Sequence, residues 1–131
     1  MDRSSGILLP VSALPGPCGI GDLGTDARDF IDFLAAAGQR YWQILPLNPP
    51  DGAHSPYLSA STFAGSTDLL SPEPFLARGA LTADEVRAVD WGEDPMRVDY
   101  DRVHAGRAAL WDAAFARERD TAAPALRAAL A

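Results

Sequence analysis

Apolar and polar positions alternate in distinct ways along the chain, and each pattern predicts an element. Gly6-Ile-Leu-Leu9 is a short apolar run, read as a buried strand, after which Pro10 to Gly24 is dense in proline and glycine and reads as a loop. Ala27, Phe30, Ile31, Leu34 and Ala37 then recur at helical spacing. Thr25 is the expected N-cap, Asp26 and Asp29 lie near the positive helix end, and Gly38 is the expected stop. Tyr41 to Leu45 is again aromatic and branched without clean polar alternation, as in a parallel strand covered on both faces, and Pro46 ends it. The opening of the chain therefore predicts a βαβ unit with parallel strands.

Beyond it the character changes. Asp68 to Leu70 is expected to be extended, Pro74 to Arg78 a single helical turn closed by Gly79, and Thr82-Ala-Asp-Glu85 a capping box opening a short helix. Trp91 to Pro95 reads as a turn. Val103, Arg107, Leu110 and Ala114 mark one face of a long helix from about Asp101 to Arg119, and a last alanine-rich helix is expected over Thr121 to Ala131. Two good parallel strands do not make a sheet, because parallel sheets bury both faces and usually have four or more strands. A complete (β/α) barrel takes about 250 residues, so the 131 residues read as the opening part of a larger sheet. Such a chain is expected to expose strand edges and helix faces and to associate.

Composition narrows the classes. At 47% hydrophobic and 22% charged, the chain has the make-up of a globular domain. Its 11 basic and 18 acidic residues give a formal charge of -7, which disfavours nucleic acid and anionic lipid as partners. No apolar run approaches the roughly 20 residues of a membrane span, and the amino terminus lacks the apolar core of a signal peptide, so a cytoplasmic setting is expected. Cys18 is the single cysteine, which leaves no internal disulfide and no thiolate metal cluster.

The polar loop after Pro46 is the strongest candidate for binding. Asn48, Asp51, His54, Ser55, Tyr57, Ser59, Ser61 and Thr62 lie among Pro49, Pro50, Gly52 and Pro56, and a braced polar loop at the carboxyl end of a parallel strand is where α/β proteins hold small molecules. Tyr57, placed after Pro56, can present its ring rigidly, whereas Trp42, Trp91 and Trp111 read as packing residues. Gly19-Ile-Gly-Asp-Leu-Gly24 matches the dinucleotide-binding pattern, but about ten residues separate it from the first strand and no acid ends the second. The alternative is a loop whose glycines permit tight turns. Asp26, Asp29 and Asp32 read as the solvated side of the first helix, no acid/base pair is visible, and Ser55-Pro56 lacks a nucleophile elbow.

Taken together, Gly6-Ile-Leu-Leu-Pro, Ser12-Ala-Leu-Pro-Gly-Pro, Gly19-Ile-Gly-Asp-Leu-Gly, Tyr41-Trp-Gln-Ile-Leu-Pro-Leu, Ser55-Pro-Tyr, Ser61-Thr-Phe-Ala-Gly and Arg97-Val-Asp-Tyr-Asp resemble the amino-terminal part of 4-α-glucanotransferases of the amylomaltase family. The resemblance implies the N-terminal portion of a (β/α)8 TIM barrel in residues 1–70, and mostly helical insertion or subdomain material in 71–131. It also implies transfer of a segment of an α-1,4-glucan to a 4-hydroxyl with retention, without a cofactor. By their place in the motif, Tyr57 would stack on the sugar next to the scissile bond and Ser55 would supply a hydrogen bond. The family's catalytic carboxylates lie downstream, so no catalytic residue is assigned and this chain alone is expected to be inactive. Two departures flank the loop: His54 stands where the family often has aspartate, and Ser66-Thr67 where it has Asn-Pro. Two alternatives stay open, a glucan-binding module without chemistry and a small nucleotide-binding α/β protein.

Overall fold

The computed structural model describes residues 3–119. The helix expected over 121–131 lies outside the described residues. β1 (Gly6–Leu8) and β2 (Tyr41–Gln43) pair in parallel, with Ile7 opposite Trp42, and α1 (Thr25–Ala36) connects them after a long loop. The strands are shorter than their apolar runs, although the Leu9 N–H still donates to the Gln43 carbonyl at 3.0 Å and the Trp42 Nε1–H to the Leu9 carbonyl at 2.8 Å. α2 (Glu73–Ala77), α3 (Ala83–Ala88) and α4 (Tyr100–Glu118) follow.

The strands are not buried on both faces as their composition predicts. Trp42 meets Phe30 of α1 edge-on, with ring centroids 5.1 Å apart, so the Ile7–Trp42 face is partly covered. Leu8 and Tyr41 belong to the opposite face and are 58% and 65% exposed, because no described segment packs there. Phe33 and Ile31 of α1 are exposed as well. This apolar surface is of the kind that promotes association.

Helix ends show how local signals and distant contacts combine. Gly38 takes φ +72, its N–H donates to the Ala35 carbonyl and that of Gln39 to Leu34, which closes α1 in a Schellman motif. Thr25 does not cap the other end. Gly24 is the cap, and the Thr25 N–H donates to the Glu73 carboxylate at 3.1 Å from across the chain. Contacts with Thr25, and after them the hydrogen bond from Arg28, hold the Glu73 pKa below its usual value. The stretch expected to be extended at 68–70 is a 3₁₀ turn, Thr67–Leu69, because the Ser66 hydroxyl accepts the Asp68 N–H and bends the backbone.

α3 carries the predicted capping box, with Thr82 accepting from the Glu85 N–H and the Glu85 carboxylate accepting from the Thr82 N–H. Arg117 of α4 also donates to Glu85, and these hydrogen bonds lower the Glu85 pKa to about 2, Arg117 contributing most. A depressed carboxylate pKa stabilises the fold above the unfolded value, and that contribution is lost as pH falls through the folded value. Thermal stability is therefore expected to drop between about pH 4.3 and pH 2, and Glu85→Gln should flatten that part of the profile. An unchanged profile in the variant would remove the α3–α4 clamp from the acid response.

The core lies against α4. Val103, Arg107, Leu110 and Ala114 are its buried residues, as the spacing predicts. Leu110 and Ala114 pack with Ala80 and Leu81, flanked by Phe75, Val86, Trp91 and Trp111. Arg107 is fully buried: it donates to the Leu70 carbonyl and, at 3.0 Å, to the Asp22 carboxylate, which also accepts the Gly24 N–H at 2.9 Å. One guanidinium thus joins α4 to both the glycine-rich loop and the segment before α2. Cys18 is buried, and burial raises its thiol pKa. Within the described residues no helix is long and apolar enough to cross a membrane.

Candidate functional site

Proline fixes much of the backbone between Leu47 and Ser66, and polar side chains fix the rest. The Ser66 N–H donates to the Leu47 carbonyl at 2.7 Å and closes the base of the loop. Asn48 Nδ2 donates to the Ser61 and Ala64 carbonyls at 2.9 and 3.2 Å, so one short amide holds the returning strand of the loop to the outgoing one. The Ser59 hydroxyl donates to the Pro49 carbonyl at 2.7 Å, and Ser61 Oγ accepts the N–H groups of Phe63 and Ala64. Two of this loop's hydroxyls, Ser59 and Ser61, are therefore its own scaffolding.

At the tip, two turns follow each other. The His54 N–H donates to the Asp51 carbonyl at 2.9 Å and the Leu58 N–H to the Ser55 carbonyl at 3.1 Å. Tyr57 sits in the second turn, 72% exposed, with Leu58 and the almost fully exposed Phe63 nearby in sequence. Ser55 is half-buried. His54 adopts φ +55, stacks on Tyr100 with ring centroids 4.7 Å apart and planes 12° apart, and places Nε2 3.8 Å from Asp101.

Beneath the loop is a cavity of about 170 Å³, whose lining includes the apolar Val11, Ile20 and Leu45 together with Asn48, His54, Pro56, Ser66, Asp68 and Tyr100. It is smaller than the roughly 300–1,000 Å³ of a pocket for a drug-sized molecule. His54 and Pro56 reach its wall; Tyr57 and Ser55 are not part of it. Of the two expected binding residues, Tyr57 is exposed and Ser55 half-buried, both outside the cavity lining. Asn48 stands among the expected loop residues and Tyr100 in the Arg97-Val-Asp-Tyr-Asp motif, whereas nothing in the sequence singles out Asp68 for this site.

Glu73, Glu85, Asp90 and Glu118 all have lowered pKa values, each held ionised chiefly by hydrogen bonds, whereas a general acid working near neutral pH needs a raised one. Among the described residues no group of three or more His, Cys, Asp or Glu is arranged to hold a metal ion. In the Gly19–Gly24 stretch, a Cβ on Gly21 would meet the Val11 carbonyl oxygen at 2.2 Å, so this glycine answers to packing.

Residues 9–131 match the profile of the family described as 4-alpha-glucanotransferase. The chain belongs to the 4-alpha-glucanotransferase family. It is 44% identical over 115 residues to a 4-alpha-glucanotransferase of Streptococcus pneumoniae, covering 88% of this chain and 23% of the relative. It is 43% identical over 131 residues to the Thermus thermophilus enzyme of the same name, covering 100% of this chain and 25% of that one. Its fold superposes on amylomaltase from Streptococcus agalactiae in complex with acarbose with a TM-score of 0.82 at 37% identity, over 86% of this chain and 23% of that one. The chain thus spans about a quarter of the length of these 4-alpha-glucanotransferases. Its parallel β1–α1–β2 unit is the opening portion of their (β/α)8 barrel.

Proposed function

We propose that this chain supplies a sugar-contacting face of a 4-α-glucanotransferase that moves a segment of a 1,4-α-glucan to the 4-hydroxyl of glucose or another glucan. Tyr57 stacks on the ring next to the scissile bond, and Ser55 hydrogen-bonds beside it. The observation that carries this reading is the Tyr57 ring, 72% exposed at the tip of a loop whose base is tied by backbone and asparagine hydrogen bonds. A large aromatic held in that way offers an apolar face without much loss of side-chain freedom on binding. The related amylomaltase solved with acarbose supports the same class of ligand. On this reading residues 1–70 belong to the barrel and 71–131 to a helical subdomain.

Chemistry is a separate question from contact. Retaining transfer needs two carboxyl groups about 5–5.5 Å apart, one of them able to give up a proton. The resolved shifts among the described carboxylates run toward the ionised form. Incubated with maltotriose, the 131-residue chain should yield neither glucose nor longer oligosaccharides. Appearance of either overturns the inactive part of the proposal. Calorimetric titration with maltoheptaose should show binding that Tyr57→Ala weakens by roughly two- to twelvefold, the ordinary worth of an aromatic contact. That variant should melt like the parent, since exposed side chains contribute little to stability. Undiminished binding in Tyr57→Ala sinks the contact assignment, while binding without transfer is what a glucan-holding module would show.

A further inference from the structure

We propose that His54 is a positioning residue for the sugar-facing loop, clamping the turn that carries Tyr57 onto the first turn of α4. The proposal rests on the assignment of Tyr57 as the stacking platform.

Backbone geometry is the first observation. Among the described non-glycine residues, His54 is the one with positive φ, at +55, a conformation that a Cβ disfavours. Such a conformation persists where surrounding contacts over-determine it, and it gathers at sites where geometry has a use. The contacts here are specific. Its imidazole lies nearly parallel to the Tyr100 ring, 4.7 Å between centroids, and Nε2 points to within 3.8 Å of the Asp101 carboxylate. Tyr100 and Asp101 are the first two residues of α4, so the ring docks on the end of the longest helix.

Position along the loop gives the clamp its consequence. The turn from Asp51 to His54 runs directly into the turn from Ser55 to Leu58, and Tyr57 lies inside the second. The hydrogen bonds of Asn48, Ser59 and Ser61 join the loop to itself and leave its tilt against the rest of the molecule undetermined. The His54–Tyr100 stack joins the loop to α4. α4 also meets the 67–69 turn through a second imidazole–carboxylate contact, His104 Nδ1 lying 3.3 Å from both Asp68 oxygens, and Asp68 lines the same cavity as Tyr100. Both rings meet carboxylates across different elements, so α4, the loop and the 67–69 turn hold the cavity in one shape.

The test uses the whole chain labelled with 3-fluorotyrosine. Fluorine NMR should give three signals, for Tyr41, Tyr57 and Tyr100, with the Tyr57 signal identified by its loss in Tyr57→Phe. His54→Asn keeps a residue that tolerates positive φ and removes the ring; it should shift the Tyr57 signal without sugar present. The same variant should weaken maltoheptaose binding by roughly two- to tenfold. Tyr100→Leu should do the same, Tyr100→Phe should restore the parent behaviour, and the His54→Asn/Tyr100→Leu pair should lose no more than either alone. A Tyr57 signal that stays at its parent position in His54→Asn overturns the proposal, including the case where the variant only melts earlier. If that happens while Tyr57→Ala still weakens binding, the positioning role falls and the sugar contact stands. If Tyr57→Ala binds like the parent, the sugar contact falls and the fluorine signal alone decides the clamp.

Discussion

Arg107→Ala is expected to lower the free energy of unfolding by about 3–5 kcal/mol, the usual loss when one partner of a buried ion pair is removed. Small domains have only about 5–15 kcal/mol in total, so the variant should be close to unfolded at room temperature. The guanidinium has no solvent contact and carries bonds to Asp22 and to the Leu70 carbonyl while facing the rings of Trp91 and Trp111. Its removal leaves the Asp22 carboxylate, 13% exposed, without its cation and frees three segments from one another. Arg107→Lys should recover only part of the loss, since an ammonium cannot span both acceptors as the planar fork does. Arg107→Met combined with Asp22→Asn should be milder than Arg107→Ala, because no charge is stranded and the volume is kept. Urea denaturation followed by circular dichroism reads all three. A loss below about 1 kcal/mol for alanine, within the range of an exposed pair, would mean that the pair does not organise the core.

How far the sequence foretells this structure depends on whether the deciding contact is local. The α4 face at Val103, Arg107, Leu110 and Ala114, the Thr82–Glu85 capping box and the Gly38 stop are all set within a few residues, and each is found where the pattern puts it. Arg107 already stood in that buried stripe as a residue that did not belong by polarity, which was the one trace of the ion pair in the sequence. Thr25 misled because the group that satisfies its N–H, Glu73, arrives from a distant helix. Asp68 to Leu70 misled because the Ser66 hydroxyl outweighs the extended preference of its neighbours. Strand burial misled for a different reason: apolar composition records what a strand is built to face, and in this chain no described segment faces Leu8 and Tyr41. At the loop, exposure of Tyr57 was legible from its setting after Pro56, but the docking of His54 on Tyr100 was not. Nothing in the spacing of those residues foretells a ring stack, since it depends on where α4 begins relative to the loop.

Gly21→Ala is expected to rank with Arg107→Ala in effect, although it adds only a methyl group. The new Cβ would lie 2.2 Å from the Val11 carbonyl oxygen, 2.6 Å from that of Leu14 and 2.8 Å from the Leu14 Cβ. Two of these are backbone atoms of the 3₁₀ turn Val11–Ala13 and its cap, and Val11 and Leu14 are both buried, so no flexible side-chain end can move aside. The Gly21 N–H also donates to the Ser12 carbonyl, which fixes the approach of the two segments. Overpacking of this sort typically costs 1–3 kcal/mol and more where backbone must shift, so about 3 kcal/mol or more is expected here, read as a lowered melting temperature. The same measurement separates two meanings of a glycine-rich stretch. Where glycine lets a backbone approach phosphate, the parent should be stabilised by NAD or ATP through mass action, and Gly21→Ala should abolish that gain. Where glycine lets two loops of one chain approach each other, neither nucleotide should move the parent's melting point, and the whole effect should appear without ligand. The 2.2 Å approach to a neighbouring carbonyl favours the second outcome; a nucleotide-dependent rise in the parent's melting temperature would return the stretch to the first.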